Sequence, residues 1–165
     1  MTRLESLFFE MIKFDKGSAE RIQHFTKVHA YSRYIGNMEK LDEKTLEILE
    51  ATAYVHDIGI KVANKIHGYS NGKLQEELGP DAAKVLLEKV GYEADIIERV
   101  MYIVGHHHTY DNIVGLDYQI LVEADFLVNL EEHKADFKAV EAARKNIFKT
   151  ETGLKMLELF FCEEE

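Results

Sequence analysis

The sequence predicts an all-α fold in one compact domain, and three observations carry that prediction. The chain has 165 residues, 46% of them hydrophobic, with no Pro/Gly/Ser-rich stretch to divide it, enough to bury one core and enclose a site. Proline occurs once, at Pro80, and period-two alternation of β-branched residues is missing over any useful length. Apolar residues instead recur at the spacing of helices, giving a bundle of seven or so.

Taken in order, Ser18 is a plausible N-cap for a segment to about Ile35 that places Ile22, Phe25, Val28 and Ile35 near one face. His24 lies beside that face. Asp42 caps a second helix that turns Leu46, Leu49 and Ala53 inward and is expected to end at Gly59, a residue suited to a left-handed stop. From Lys61 to Gly79, three glycines with Asn64, Ser70 and Asn71 predict an irregular connection, with one helical turn around Leu74 to Leu78. Pro80 at a first helical position opens a helix that closes at Gly91. Another runs from about Glu93 with Ile97, Val100, Met101 and Val104 inside, into Gly105-His106-His107-His108. From Asp117 a further helix carries Leu121, Ala124 and Val128 on one stripe, and Asp125 falls within it. The tail, about 135–161, predicts two packing helices with Phe137, Val140, Ile147, Leu154, Leu157 and Phe160 inward and a break near Thr150 to Gly153. The acidic end, Glu163 to Glu165, is the one biased segment, and no fixed-period repeat is present.

Composition excludes several function classes. With 30 acidic against 20 basic residues, the formal charge is -10, which repels a phosphate backbone, so extended nucleic acid is not an expected partner. The longest apolar runs are a few residues, and Glu5 and Glu10 stand where an export signal needs an apolar core, so no membrane is expected. A single cysteine, Cys162, permits neither an internal disulfide nor a multi-thiolate metal site. A cytoplasmic setting suits it, and any metal must be bound through nitrogen and oxygen. The aromatic ends, Phe8, Phe9, Phe160 and Phe161, are core or the apolar edge of a homodimer.

The chemistry lies in buried polar residues. Asp125 on an apolar stripe costs several kcal/mol if left ionised and alone, so it needs a partner. His56 and Asp57 continue the inward series of the Asp42 helix by one turn. Two imidazoles and two carboxylates from three helices, His24, His56, Asp57 and Asp125, would satisfy one another by sharing a divalent cation, with positions left open for water and substrate. For each taken singly a bland reading stands beside this one: a satisfied interior histidine for His24, a helix-end pair for His56-Asp57, a salt bridge for Asp125. His29, about 140° around the helix from His24, is expected to pack, and His67 and His133 carry no assigned role.

A His on one helix, a His-Asp pair ending the next, a His cluster after a later helix and an Asp on the helix after that resembles the ordered pattern of the HD-domain superfamily of metal-dependent phosphohydrolases. Arg21-Ile22-Gln23-His24 with Val28 is similar to its first-ligand segment, Tyr54-Val55-His56-Asp57-Ile58-Gly59 to its signature pair, and Val122 to Leu127 to its final one. The resemblance covers about 21–129. It implies an HD-type helical bundle and one divalent transition metal (Mn, Fe, Co, Zn or Ni) held by His24, His56, Asp57 and Asp125. Two departures bear on this. Two-metal members have a further His where Gln75 stands, and amide oxygen is a poor substitute for imidazole, which argues against a second tightly held metal. The run His106 to Asp111 resembles the paired-His segment of the branch that cleaves cyclic dinucleotides, without the rest of that branch's signature.

The expected reaction is hydrolysis of a small phosphate ester or nucleotide: the cation lowers the pKa of a water from 15.7 toward about 7 and polarises a phosphoryl oxygen for in-line attack. His106 and His107 are expected to hold the phosphate or protonate the leaving oxygen, Lys61 to add positive charge, and Glu76 to serve as ligand or base. His108 is expected to face away. The rivals are a two-iron HD-type oxygenase, which would keep the His that is Gln75 here, and a non-catalytic metal- or ligand-binding sensor module.

Overall fold

The computed structural model describes residues 1–163, so Glu164 and Glu165 of the acidic end lie outside it. Nine helices follow one another with no strand among these residues: α1 (Arg3–Phe14), α2 (Ala19–Met38), α3 (Glu43–Val55), α4 (Gly59–His67), α5 (Gly72–Val90), α6 (Ala94–Val104), α7 (Leu116–Glu132), α8 (Phe137–Asn146) and α9 (Glu151–Phe161). Helices α2, α3, α6 and α7 form the centre, with α3 touching the other three. The pair α4 and α5 leans on α6, α1 lies across α3 and α5, and α8 with α9 covers α7. None of these helices is long and apolar enough to cross a membrane.

Local chemistry explains several boundaries, although Ser18 precedes α2 without a side-chain cap bond. Asp42 caps α3 by accepting from the Thr45 amide, and Phe25, Val28 and Ile35 of α2 are buried as their spacing requires. Gly91 ends α5 in the left-handed region at φ +89°. Helix α1, which the sequence reading did not anticipate, starts on a reciprocal cap: the Thr2 hydroxyl accepts from the Glu5 amide, and Glu5 accepts from the Thr2 amide.

The largest correction falls between 59 and 90. The expected irregular connection is helix α4, a short turn and the first half of α5, and Pro80 lies inside α5 rather than in its first turn. Gly59 is no left-handed stop. It is buried in the first turn of α4, where a Cβ would lie 2.8 Å from the Gln75 carbonyl oxygen and 3.1 Å from the Gly79 amide nitrogen. Glycines that resemble loop punctuation therefore serve close helix crossing, while only Gly68, at φ +78°, ends a helix here. In the tail the break falls at 147–150, where Thr150 caps α9, and Phe137 is exposed instead of inward.

Candidate metal centre

Four side chains from the central helices meet in the interior. His24 comes from the second turn of α2, His56 and Asp57 from the turn that follows α3, and Asp125 from the middle of α7. His56 is fully buried, and His24 and Asp125 are nearly so. His24 Nε2 lies 3.1 Å from Asp125 Oδ1, 3.2 Å from Asp57 Oδ2 and 3.2 Å from His56 Nε2. His56 Nε2 is 3.3 Å from both Asp57 Oδ2 and Asp125 Oδ1.

These separations fit a cation. Ligands at about 2.0–2.1 Å from one ion are spaced by about 2.8–3.0 Å in octahedral (cis) and about 3.3–3.4 Å in tetrahedral arrangement. Proton bookkeeping points the same way. His56 Nδ1 donates to the Ala53 carbonyl at 2.8 Å, and His24 Nδ1 donates to the Glu132 carboxylate at 3.1 Å. In neutral imidazoles both Nε2 atoms are then bare lone pairs aimed at each other and at two carboxylates, an arrangement that requires positive charge in the middle. With only protons to supply that charge, the group polarises strongly. Burial works against the His24 imidazolium, but the Asp125 and Asp57 carboxylates outweigh it and raise its pKa to about 10. Burial likewise opposes charge on His56, which the two carboxylates nonetheless push well upward, and opposes charge on Asp57 and Asp125, which the imidazoles hold well down.

A second group shares Asp57. His107 donates from Nδ1 to the Val104 carbonyl at 2.8 Å, leaving its bare Nε2 3.3 Å from Asp57 Oδ1. His108 completes a trio whose ligand atoms all lie within 4.8 Å of one another. Its Nε2 donates to Gln75 Oε1 at 2.7 Å, so the amide in the slot of the extra His orients a histidine, with its own nitrogen held by Ser70.

The remaining sequence-predicted site residues are placed differently. His106 turns outward, donating to the Tyr102 carbonyl and stacking on the Tyr102 ring, so the inward pair is His107 and His108, not His106 and His107. The Tyr118 hydroxyl, anchored in α7, shares its single proton between the carbonyls of His106 and Thr109, which fixes the turn that makes this choice. Lys61 donates to the Phe14 carbonyl and lies over that ring, outside the cleft described below. Glu76 accepts from the His108 amide at 3.2 Å and the Thr109 hydroxyl at 2.9 Å, which ties down the histidine turn. His29 packs as expected, stacked on Tyr54 and paired with Glu50 at 3.0 Å.

A cleft of about 520 Å³ opens onto His24 and Asp57. Arg21, Lys27 and His133 bring nitrogen to it, Gln23 and Asn129 amides, and Asp15, Glu20 and Glu132 carboxylates. Several of these residues, among them Asp15, Lys27 and Glu132, carry no role in the sequence reading. Glu132 lies seven residues, about two turns, beyond Asp125 and hence on the same face of α7, a legible signal. Asp15 and His133 gave none, because the packing of α1 and the end of α7 brings them here.

No family model and no curated protein matches the sequence. A solved structure does match the fold: the crystal structure of a predicted HD superfamily hydrolase from an uncultured Thermotogales bacterium, 24% identical, covering 96% of this chain and 85% of that one, with a TM-score of 0.71. The chain is thus an all-helical protein with the fold of that HD superfamily protein.

Proposed function

We propose that this chain is a metal-dependent phosphohydrolase of the HD superfamily, acting on a small phosphate ester or nucleotide. The observation that carries the reading is the meeting of two bare imidazole nitrogens and two carboxylates at 3.1–3.3 Å beside an open cleft. His24, His56, Asp57 and Asp125 would hold one divalent transition metal, which supplies a Lewis acid and a water of lowered pKa. Arg21 and Lys27 line the cleft as the cations for a phosphate group, a role the acidity of the whole chain makes necessary. Glu132 holds the His24 ring with Nε2 inward. His107, its Nδ1 committed to a carbonyl, presents Nε2 toward the Asp57 side of the reacting group.

A second reading is favoured by one observation, the trio of Asp57, His107 and His108. It offers three donors, against four at the first site, and would take a second and weaker ion. Phosphate release from a panel of nucleotides and phosphomonoesters, with each of Mn, Fe, Co, Zn and Ni, tests the proposal. Oxygen consumption with iron and no phosphate release would point to an oxygenase; thermal stabilisation by a ligand without any product would point to a sensor.

A further inference from the structure

The cleft contains a carboxyl group that the metal centre does not use. Asp15, at the C-terminal end of α1, is 6% exposed and lines the cleft together with His24 and Asp57. Among the described residues it accepts no side-chain hydrogen bond and forms no ion pair, although its backbone is fixed at both ends, the amide donating to Met11 and the carbonyl accepting from Ser18. The other buried carboxylates are all engaged. Glu50 takes His29 and Arg33, Asp117 takes Arg99, Glu123 takes Gln119, Lys149 and Thr150, and Asp125 takes His24 and His56. The Asp15 carboxyl therefore faces the cleft instead of a protein partner, and its place there marks it for a ligand or a proton.

Resting on the phosphohydrolase reading above, we propose that Asp15 is the general acid of this site, protonating the leaving oxygen of the phosphate ester. As the attacking oxygen bonds to phosphorus, the bond from phosphorus to the ester oxygen breaks and its electron pair passes to that oxygen. The Asp15 carboxyl proton follows, the alcohol departs, and the carboxylate recovers a proton from water. No electrons are exchanged with a redox partner. The surroundings suit the task. Burial pushes the Asp15 carboxyl above the ordinary aspartate range; Arg21 from α2 and Lys61 from α4 draw it back, and Asp57 adds to the rise. Glu20, Lys27, Glu132 and His133 line the same cleft. Because the protonated form is the active one, the rate falls as pH rises through the Asp15 pKa.

The test compares two esters on the metal-loaded full chain, p-nitrophenyl phosphate, whose leaving group needs no proton, and ethyl phosphate, whose leaving group does. Asp15→Asn is expected to lower kcat for ethyl phosphate by about 100-fold or more while holding p-nitrophenyl phosphate within about threefold, with metal content and helicity unchanged. Its pH profile should lose the fall on the alkaline side. Asp15→Ser makes the same comparison should the Asn variant not fold. An equal loss on both esters, or no loss on either, overturns the role of Asp15 while leaving the hydrolase reading in place. No phosphate release by the unaltered chain from either ester or from the nucleotide panel, with any of the five metals, overturns both.

Discussion

Replacing Glu132 by Ala removes the side-chain acceptor that orients His24, a proposed ligand of the first site. His56 and His107 donate from Nδ1 to backbone carbonyls at 2.8 Å, contacts that no side-chain substitution reaches. His24 depends on Glu132, whose two oxygens stand 3.2 and 3.1 Å from its Nδ1. Loss of such a supporting carboxylate typically weakens a metal site by about 10- to 100-fold, or about 1.4–2.7 kcal/mol. The Glu132 side chain keeps 29% of its surface exposed, and water can replace part of the interaction, which places the effect near the lower end, about tenfold. Glu132→Gln retains an oxygen acceptor and should lose only about two- to threefold. Lys27→Ala, 3.8 Å from the same carboxylate, should leave affinity within about twofold. Competition of Mn2+ or Zn2+ against a chelating dye measures all three. Unchanged affinity in Glu132→Ala, or an equal loss in the Gln and Ala variants, would refute the reasoning.

Other consequences follow from the same contacts. His107→Ala should leave the first metal equivalent in place and remove only the weaker binding seen at high metal concentration, as equilibrium dialysis can show. Metal binding must displace the proton shared around His24, whose pKa is raised to about 10, so apparent affinity should climb with pH up to about 10 and level off above it, with proton release detectable calorimetrically. In chelated protein the sign for stability is the reverse. The raised pKa of His24 contributes fully below about 6.5 and is lost toward 10, while the lowered pKa values of Asp57 and Asp125 contribute above about 3.9 and are lost in acid, as thermal melts across pH will record. Glu123→Ala strips a fully buried carboxyl from Gln119 Nε2, the Lys149 and Thr150 amides and the Thr150 hydroxyl, and should cost about 3 kcal/mol in urea unfolding without altering metal content. His29→Ala should likewise spare the metal while costing about 1–2 kcal/mol, since the ring stacks on Tyr54 and pairs with Glu50.

Much of this was legible in the sequence for one physical reason: a charged residue on an apolar helical stripe must be compensated. Asp125 on the α7 stripe, and His56 and Asp57 one turn beyond Ala53, announced themselves in that way, and the structure brings them together with His24. What stayed hidden depended on turn geometry and on packing. Which two of three adjacent histidines face inward is decided by Tyr118 holding two carbonyls of their turn, and nothing in the local string carries that. Gly59 and Gly79 resemble loop residues because helix crossing and chain reversal ask the same thing of a residue, the absence of a Cβ. Thr2 and Glu5 did carry a readable capping signal for α1, but not the packing that brings Asp15 to the cleft.

The most direct test of the central claim is elemental analysis of metal per chain, on untagged protein purified without chelator, alongside Asp57→Ala and Asp125→Ala. The account predicts about one tightly held equivalent of a transition metal in the unaltered chain and almost none in either variant, with helical content retained. A metal-free unaltered chain that takes up no added transition metal, or full metal content in the variants, would contradict it.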